Sequence, residues 1–427
     1  MIEPSRDRDI EFESPYRSRV TIPFDVVNNL VVVQMRINDS APLNFILDSG
    51  ATRIILTEIP DGEELTLNFT REVLINGLGN EAPKEALLSL GNNVFMKEVK
   101  GTNQDVIFLH KHKLDLSSFM GMPIHGILGY NLFQDFVVEL NYQRERLVLH
   151  HPDVYQSKFN ELKKSKKWHY LPITVEGRKP YVEAQVLQEN GNAINTKLLV
   201  DSGASNSFSL YVTEESGVYL PPKTIDSFLG TGLNGEVFGK IGRVDRVKIH
   251  DVVVDQDPVV FYPDSESIKL ALEEGDRQGV MGSDFLSRYR VIFNYEADGM
   301  LLRPTSKAKE EYSYNKAGLE VFVSDISPVL IKYSYSVAGM QRTKSLSSLP
   351  FYEVSQVRKG SPADEAGILP GDLIRQVNTR RAYLFTLNEL IDILEGGRGN
   401  TIRITVTRDD KQLRFFLRLK DEIALDS

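Results

Sequence analysis

Short apolar stretches alternate with polar and turn-forming residues along residues 20–304. These stretches are rich in Val, Ile and Phe, and they are separated by Gly, Asn, Asp and Pro, which is typical of β-strands joined by turns. The clearest are Leu30–Val33, Phe45–Leu47, Phe136–Leu140, Leu198–Val200, Val252–Val254 and Val291–Phe293. We therefore expect this part of the chain to be mainly β.

Nearer the C-terminus the pattern changes to mixed helices and strands. Ser361–Gly367 predicts a short helix, because Ser, Pro and Gly stand at the preferred N-cap, first helical and left-handed C-cap positions. Thr386 and Glu389 have the spacing of a capping box. An apolar stripe with helical spacing follows, formed by Leu387, Leu390, Ile391 and Leu394. Alternating apolar residues over 402–406 and 413–419 predict two final strands.

A repeat organises the β-rich part of the chain. The turn Asp48-Ser49-Gly50-Ala51 returns 153 residues later as Asp201-Ser202-Gly203-Ala204. Three more matches stand at the same offset: Gly77-Leu78-Gly79 with Gly230-Thr231-Gly232, Gly126–Gly129 with Gly279–Gly282, and Asn141-Tyr142 with Asn294-Tyr295. Four matches in one order at one offset are not expected by chance, so the sequence predicts two homologous units.

The repeat and its flanking segments divide the chain into five parts. We expect an N-terminal arm over residues 1–19, a first lobe over 20–152, a linker over 153–167, a second lobe over 168–304 and a C-terminal domain over 310–422. The linker contains a run of lysines, but no ladder of aromatic residues accompanies it, so a solvated connection is the better interpretation.

Composition and charge narrow the classes of function. The chain has 427 residues, of which 41% are hydrophobic and 26% charged, and its net charge is −9. This charge disfavours nucleic acid as a partner. There is no cysteine, which excludes disulfides and Cys-ligated metal centres. No apolar run exceeds four residues, so we expect no transmembrane segment. We expect neither a metal nor a cofactor.

The two Asp-Ser-Gly-Ala turns carry the candidate chemistry. Each follows an apolar strand, which holds its carboxyl group in a poorly solvated position. If the two lobes pack about a pseudo-twofold axis, Asp48 and Asp201 become neighbours. Gly50 and Gly203 allow the turns to approach closely, because glycine has no side chain to obstruct them.

The serines of these turns can hold the pair together. Ser49 and Ser202 are each able to hydrogen-bond to the opposite turn. Two carboxyl groups that close cannot both ionise, so the dyad shares one proton. One carboxylate then takes a proton from bound water while the other carboxyl donates to the carbonyl under attack.

These motifs resemble those of aspartic peptidases of the retropepsin or pepsin type. The likeness covers residues 20–304 in two copies and rests on the Asp-Ser-Gly-Ala turns, the Gly-rich hairpins and the two Gly-apolar-apolar-Gly segments. It implies two tandem β-barrel lobes in which Asp48 and Asp201 are catalytic. It also implies that the Gly-apolar-apolar-Gly segments support the catalytic turns.

The same resemblance implies two mobile flaps. Their tips are Gly77-Leu78-Gly79 and Gly230-Thr231-Gly232. Two matched flaps favour the retropepsin arrangement, because pepsin-like enzymes use one.

The C-terminal domain resembles a bacterial-type PDZ domain, an α/β fold that binds extended peptides. The most specific stretch runs from Gly360-Ser361-Pro362-Ala363 to Gly371-Asp372. The resemblance implies that Tyr352-Glu353-Val354 is the edge strand that receives the peptide and that Leu387, Leu390 and Ile391 form the helix side of the groove. Two loops are candidates for carboxylate binding: Leu349-Pro350-Phe351, or Lys316-Ala317-Gly318-Leu319 with residues 324–348 as an insertion.

As a whole the chain resembles bacterial aspartyl proteases with a C-terminal PDZ domain. This implies an aspartic endopeptidase whose PDZ domain recruits peptide or protein substrate. From the residues alone, either the protein is cytosolic or a leader was removed, because no signal is visible in this chain. Members of the family are commonly exported, so the resemblance favours a periplasmic, cell-envelope or secreted protein from which a leader was removed.

Two other functions remain open at this point. The chain could be a non-catalytic, PDZ-containing peptide-binding protein with a vestigial protease fold. Paired carboxylates also serve glycoside hydrolysis, but the Gly-rich tips and the lack of an aromatic cluster near either aspartate argue against it.

Assembly also has two alternatives. The lobes could pair within one chain, giving a monomer, or each lobe could pair with its counterpart in a second chain. The monomer is favoured, because a single chain already contains both lobes.

Overall fold

The described residues form two compact units. The computed structural model describes residues 9–425 except residues 61, 63, 110–113, 274, 328–330, 338–339, 347–348 and 397–400. The first unit contains the residues up to Leu114, Ile124–Ser313 and the residues from Ile423, while the second contains Asp115–Pro123 and Tyr314–Glu422. Residues 1–8 of the predicted N-terminal arm lie outside the described residues.

The first half of the chain supplies the first twelve strands. They are β1 Ile10–Phe12, β2 Arg19–Pro23, β3 Asp25–Val27, β4 Leu30–Ile37, β5 Leu43–Leu47, β6 Ile54–Leu56, β7 Thr70–Ile75, β8 Lys84–Met96, β9 Val99–Phe108, β10 Gly126–Leu128, β11 Val137–Asn141 and β12 Arg146–His150. The helices of this stretch are α1 Leu116–Met120, α2 Tyr130–Asp135 and α3 Pro152–Lys163, with a 3-10 turn at Tyr142–Arg144.

The second half of the first unit repeats this order. Its strands are β13 His169–Pro172, β14 Thr174–Glu176, β15 Lys179–Leu187, β16 Ala193–Val200, β17 Phe208–Leu210, β18 Ile225–Gly232, β19 Gly235–Arg243, β20 Arg246–Ile249, β21 Val252–Val254, β22 Val259–Pro263, β23 Gly279–Met281, β24 Tyr289–Asn294 and β25 Gly299–Pro304. Its helices are α4 Ser265–Glu273 and α5 Ser283–Ser287, with a 3-10 turn at Ser306–Lys309.

The remaining elements form the α/β domain of the second unit. They are β26 Leu319–Ser327, β27 Ile331–Val337, β28 Met340–Leu346, β29 Leu349–Val357, α6 Pro362–Ala366, β30 Leu373–Val377, β31 Arg380–Arg381, a 3-10 turn at Ala382–Leu384, α7 Leu387–Glu395, β32 Thr401–Arg408 and β33 Lys411–Arg418. None of the helices in the described part of the chain is long and apolar enough to cross a membrane.

The first lobe is a closed β-barrel, in agreement with the mainly β pattern of its sequence. Strand β5 lies between β4 and β10, and β6 lies between β10 and β9. The additional pairing of β8 with β9 closes the ring, which leaves no open edge in it. Apolar residues of β4 and β5 fill the interior, where Phe45 and Leu47 are fully buried.

The second lobe has the same strand order around its centre. Strand β16 lies between β15 and β23, and β17 lies between β23 and β22. The long β8 of the first lobe corresponds here to two strands, β19 and β20, with Val244 and Asp245 between them.

A six-stranded sheet joins the two lobes and shows their pseudo-twofold relation. Its order is β13-β25-β24-β11-β12-β2, so each lobe supplies three strands. At its centre β11 pairs antiparallel with β24, with Val138 opposite Phe293 and Leu140 opposite Val291. A shift of 153 residues converts one of these pairs into the other, so the register itself obeys the symmetry of the sequence repeat.

Most of the predicted linker is helical. The helix α3 begins at Pro152, a residue favoured in the first helical turn, and runs to Lys163. Its Phe159 is buried in a cluster with Trp168 and Ile292, which packs the helix against the shared sheet.

The PDZ-like domain has both predicted helix caps. Ser361 accepts a hydrogen bond from the backbone N–H of Asp364, and Gly367 ends α6 in the left-handed conformation at φ 87°. Thr386 and Glu389 form the capping box that begins α7. The five main strands lie in the order β26-β29-β30-β32-β33.

The predicted edge strand of this domain is wrong. Tyr352 and Val354 belong to β29, which lies between β26 and β30, and both side chains are buried. The Tyr352 hydroxyl donates to the carbonyl of Phe385 at 2.8 Å, as a core residue would. The edge of the sheet is β26. This strand precedes β29 in the chain and lies outside the motif Gly360–Asp372 on which the resemblance rests.

The position of β26 favours one of the two candidate loops. It begins at Leu319, directly after Lys316-Ala317-Gly318, and Gly318 has a left-handed φ of 71°. The hairpin of β27 and β28 lies within the predicted insertion over residues 324–348. On the helix side of the groove Leu387 and Leu390 are buried, and Ile391 is partly exposed.

A buried ion pair connects the two lobes and gives a testable prediction. Glu139 of β11 is 3% exposed and accepts hydrogen bonds from Arg290 Nε at 2.8 Å and His150 Nε2 at 3.1 Å. Burial raises the pKa of Glu139, but the bond from His150 and the charge of Arg290 outweigh it and leave the pKa lowered. A lowered pKa means that the ionised carboxylate stabilises the fold, and that this contribution is lost as pH falls through it.

We therefore expect Glu139→Gln to destabilise the chain by about 2 kcal/mol at neutral pH. The difference should shrink on acidification, as measured by urea unfolding at several pH values. The control is Glu183→Gln, an exposed residue of β15, which should change stability by less than about 0.5 kcal/mol. An equal loss in both variants, or a loss independent of pH, would contradict this role.

Candidate active site

Two short parallel strand pairings position the aspartates. Strand β5 runs beside β10, and the backbone N–H of Asp48 donates to the carbonyl of Leu128 at 2.9 Å. In the second lobe β16 runs beside β23, and the N–H of Asp201 donates to Met281 at 2.9 Å. Each aspartate is thus fixed at the end of a buried strand, and both side chains are partly buried.

The structure brings the two aspartates together. A Cβ atom built on Gly203 would lie 2.3 Å from Cγ of Asp48, and one on Gly50 would lie 2.9 Å from Cγ of Asp201. Each turn therefore passes directly over the opposite carboxyl group, where only glycine fits. Within its own turn each carboxylate accepts a backbone N–H, from Gly50 at 2.7 Å and from Gly203 at 2.8 Å.

Ser49 and Ser202 bind the two turns to each other reciprocally. Both are fully buried. The Ser49 hydroxyl donates to the carbonyl of Val200 at 2.7 Å and accepts the N–H of Ser202 at 3.0 Å. The Ser202 hydroxyl donates to Leu47 at 2.8 Å and accepts the N–H of Ser49 at 2.9 Å. Four hydrogen bonds thus fix the separation of the lobes at the dyad.

The surroundings of the dyad favour a shared proton. Burial raises the pKa of Asp48 well above its usual range, and the charge of Asp201 and a side-chain hydrogen bond with Asp201 raise it further. The N–H groups of Gly50 and Ala51 act in the opposite direction but do not outweigh these effects. The arrangement suits one neutral carboxyl beside one carboxylate.

The Gly-apolar-apolar-Gly segments lie directly behind the turns. A Cβ atom on Gly129 would lie 2.2 Å from the carbonyl oxygen of Ala51, and one on Gly282 would lie 2.3 Å from that of Asn206. The adjacent Ser283 donates from its hydroxyl to the carbonyl of Ser202 at 2.7 Å. Sequence reasoning missed Ser283, because Tyr130 stands at the equivalent position of the first repeat.

Tyr295 is a second residue that the sequence did not assign to the site. It is 8% exposed and stacks on Phe133, with ring centroids 5.6 Å apart. Burial raises the pKa of its hydroxyl, and the nearby charge of Asp48 adds to this effect. The repeated Asn-Tyr pair identifies Tyr295 as part of the repeat, but it does not indicate that this residue lies beside the dyad.

The two Gly-rich tips meet each other. The backbone N–H of Asn234 donates to the carbonyl of Leu78 at 2.9 Å, and that of Glu81 donates to Asn234 at 2.8 Å. A Cβ on Gly79 or Gly232 would lie 2.2 Å from backbone of the opposite tip, so both glycines allow this contact. Of the other predicted tip residues, Gly77 lies against Leu233, whereas Gly230 has no atom within 4 Å of its Cβ position. Thr231 pairs with Glu236 in the hairpin of β18 and β19.

Asn234 completes the contact between the tips. It is fully buried, and its side-chain amide donates to the carbonyl of Ala82 at 2.7 Å. Leu78 packs on an apolar cluster of the second lobe, and Leu233 packs on one of the first. Each hairpin therefore reaches over to the other lobe. The repeat gave no signal for Asn234, because Glu81 stands at its equivalent position.

The serine pair gives a prediction about stability. Ser49→Ala removes two cross-bonds and leaves a buried carbonyl and a buried N–H unpaired, which costs about 1–3 kcal/mol for each group. Ser202→Ala should cost a similar amount, because the two residues are related by the pseudo-twofold axis. Urea unfolding measures both, and Ser157→Ala on the exposed face of α3 is the matched control. Unchanged stability in both serine variants would show that the hydrogen bonds of Ser49 and Ser202 do not hold the two lobes together.

Comparison with known protein families agrees with this geometry. A family model described as aspartyl protease matches residues 33–132 and again residues 182–285. Each match contains one Asp-Ser-Gly-Ala turn and its supporting glycine segment. A family model described as PDZ domain matches residues 353–408. The predicted retropepsin-like family is thus confirmed: the chain is made of two aspartyl protease lobes followed by a C-terminal PDZ domain.

Proposed function

We propose that the protein is an aspartic endopeptidase that hydrolyses peptide bonds with a dyad of Asp48 and Asp201. The observation that carries this proposal is the contact of the two carboxyl groups beneath opposing turns, with the pKa of one of them raised. Both carboxyl groups and both sets of supporting contacts are intact. Catalysis requires all of them, whereas a purely structural fold does not.

The two residues act as one acid–base pair. In the resting dyad they share one proton, which belongs to the pair as a whole. The ionised carboxylate takes a proton from a water molecule, whose oxygen attacks the peptide carbonyl carbon while the protonated carboxyl group donates its proton to the carbonyl oxygen. The resulting diol returns one proton to the group that donated it, the other carboxyl group protonates the amide nitrogen, and the C–N bond breaks to give a carboxylic acid and an amine.

The hairpin tips control access in this proposal. Because they contact each other and pack on opposite lobes, they have to separate before a peptide reaches the dyad. Their closure afterwards removes water and holds the peptide over the carboxyl groups.

The other parts of the chain fit an enzyme that acts on proteins. The PDZ domain recruits peptide or protein substrate through its groove. A monomer is the proposed active form, because one chain supplies both aspartates. The alternative is a peptide-binding protein without activity, in which only the PDZ groove has a function.

The direct test is cleavage of casein by the aspartate variants. Asp48→Asn and Asp201→Asn should each lower the rate by at least about a thousandfold, because general acid–base catalysis by the pair is lost. Asp25→Asn, an exposed residue of β3, is the matched control and should leave the rate unchanged. The rate is followed by the release of peptides from acid to neutral pH.

The outcomes separate the alternatives. Near wild-type cleavage by either dyad variant would contradict the shared-dyad mechanism. If the wild-type chain cleaves no protein at any pH and still binds peptide, the non-catalytic function is the correct one.

A further inference from the structure

We propose that the peptide groove of the PDZ domain already holds a ligand, which is the chain's own segment Asp115–Pro123. An external peptide would then have to displace this segment before it binds. The inference adds regulation to the proposed function, but its peptide-binding part does not depend on proteolysis.

The walls of the groove are β26 and α7. Strand β26 is the edge of the domain's main sheet and pairs within that sheet only with β29 among the described strands. The helix α7 presents Leu387 from its first turn, and Leu387 and Val323 of β26 are both buried. A peptide that binds in the PDZ manner lies between such a strand and such a helix.

The segment Asp115–Pro123 lies between these walls. It is separated in sequence from the rest of the second unit by about 190 residues, yet it belongs to that unit by its contacts. Its helix α1 packs on β26. A Cβ atom on Gly121 would lie 3.2 Å from Cγ2 of Val323 and 3.6 Å from Cβ of Leu387. Gly121 therefore touches both walls.

The segment is a short helix with a cap at each end. Asp115 caps α1 by accepting the N–H of Ser118 at 3.0 Å, and Gly121 ends the helix in the left-handed conformation. Met120, directly before this turn, is only 4% exposed. The occupant is thus a short helical turn with apolar residues, where an external ligand would be an extended strand.

The attachment of the segment makes it a strong competitor and links it to the dyad. Directly after Pro123 the chain enters the first lobe. There the backbone N–H of His125 donates to the carbonyl of Asn44, and the carbonyl of His125 accepts the N–H of Thr57, each at 2.8 Å. The next strand, β10, ends at Leu128, whose carbonyl holds the N–H of Asp48. Only residues 124–127 therefore lie between the groove segment and Leu128, which supports the catalytic turn directly.

A disulfide trap tests the occupancy. The chain has no cysteine, and the 3.6 Å between the Cβ positions of residues 121 and 387 is within the range for a disulfide. The double variant Gly121→Cys, Leu387→Cys should form an internal disulfide on mild oxidation. The matched control is Gly191→Cys, Leu387→Cys, because Gly191 also has a left-handed φ but no atom within 4 Å of its Cβ position. The control should not form a disulfide.

Peptide binding then tests the competition in the same protein. The probe is a fluorescent peptide with the sequence of residues 114–124, and its binding to the full chain is measured by polarisation. We expect the oxidised double variant to bind it at least about tenfold more weakly than the reduced form, because the disulfide prevents displacement of the segment, whereas in the reduced form the probe competes with a segment at an effective concentration near millimolar. The control pair should bind equally in both redox states.

Several results would overturn the inference. These are the absence of the disulfide in the Gly121 pair, its formation to the same extent in the Gly191 pair, or equal affinity for the probe in both redox states. Since no step of this test uses cleavage, an inactive enzyme would refute the proposed function and leave the groove ligand supported. Conversely, casein cleavage without a change in probe binding would support the enzyme and refute the groove ligand.

Discussion

The reciprocal hydrogen bonds of Ser49 and Ser202 are the interaction on which the rest of the site depends. Two carboxyl groups repel each other when both are ionised, and a fold that brings them together needs a stronger constraint to keep them there. The two serines supply it by pairing backbone groups across the lobes in a fully buried position. Breaking these bonds would leave buried backbone groups unpaired in a low-dielectric interior, which is costly.

The shared six-stranded sheet extends this constraint over the whole first unit. The pairing of β11 with β24 aligns the lobes through regular backbone bonds, and the Glu139–Arg290 ion pair adds a contact between side chains of the two lobes. The sheet and the serine pair follow the same pseudo-twofold relation. The hairpin tips follow it only approximately, since Asn234 and Glu81 differ in chemistry although they occupy equivalent positions. This is where we expect the two halves to act differently on a substrate, which itself has no twofold symmetry.

The sequence predicted the parts of the protein that depend on local pattern or on the repeat. The mainly β fold, the helix caps of the PDZ domain and the neighbouring positions of Asp48 and Asp201 all follow from spacing and residue type. The contributions of Ser283 and Asn234 could not be predicted, because their equivalents in the other repeat are different residues.

The errors in the PDZ domain have another cause. The motif begins after β26 and therefore points to the next strand as the edge, although Tyr352 and Val354 of that strand are core residues. The presence of Asp115–Pro123 in the same unit depends on contacts between distant parts of the chain. No local pattern reports such contacts.

The most direct test of the account is an NMR titration of protein labelled with ¹³C at the aspartate carboxyl carbons. If Asp48 and Asp201 titrate as one coupled pair, the pKa of Asp48 is raised in the wild-type chain and falls clearly in Asp201→Asn, where the neighbouring charge is absent. Burial alone would still hold it above the range of an exposed aspartate. A pKa of Asp48 that is unchanged by Asp201→Asn would contradict the shared proton.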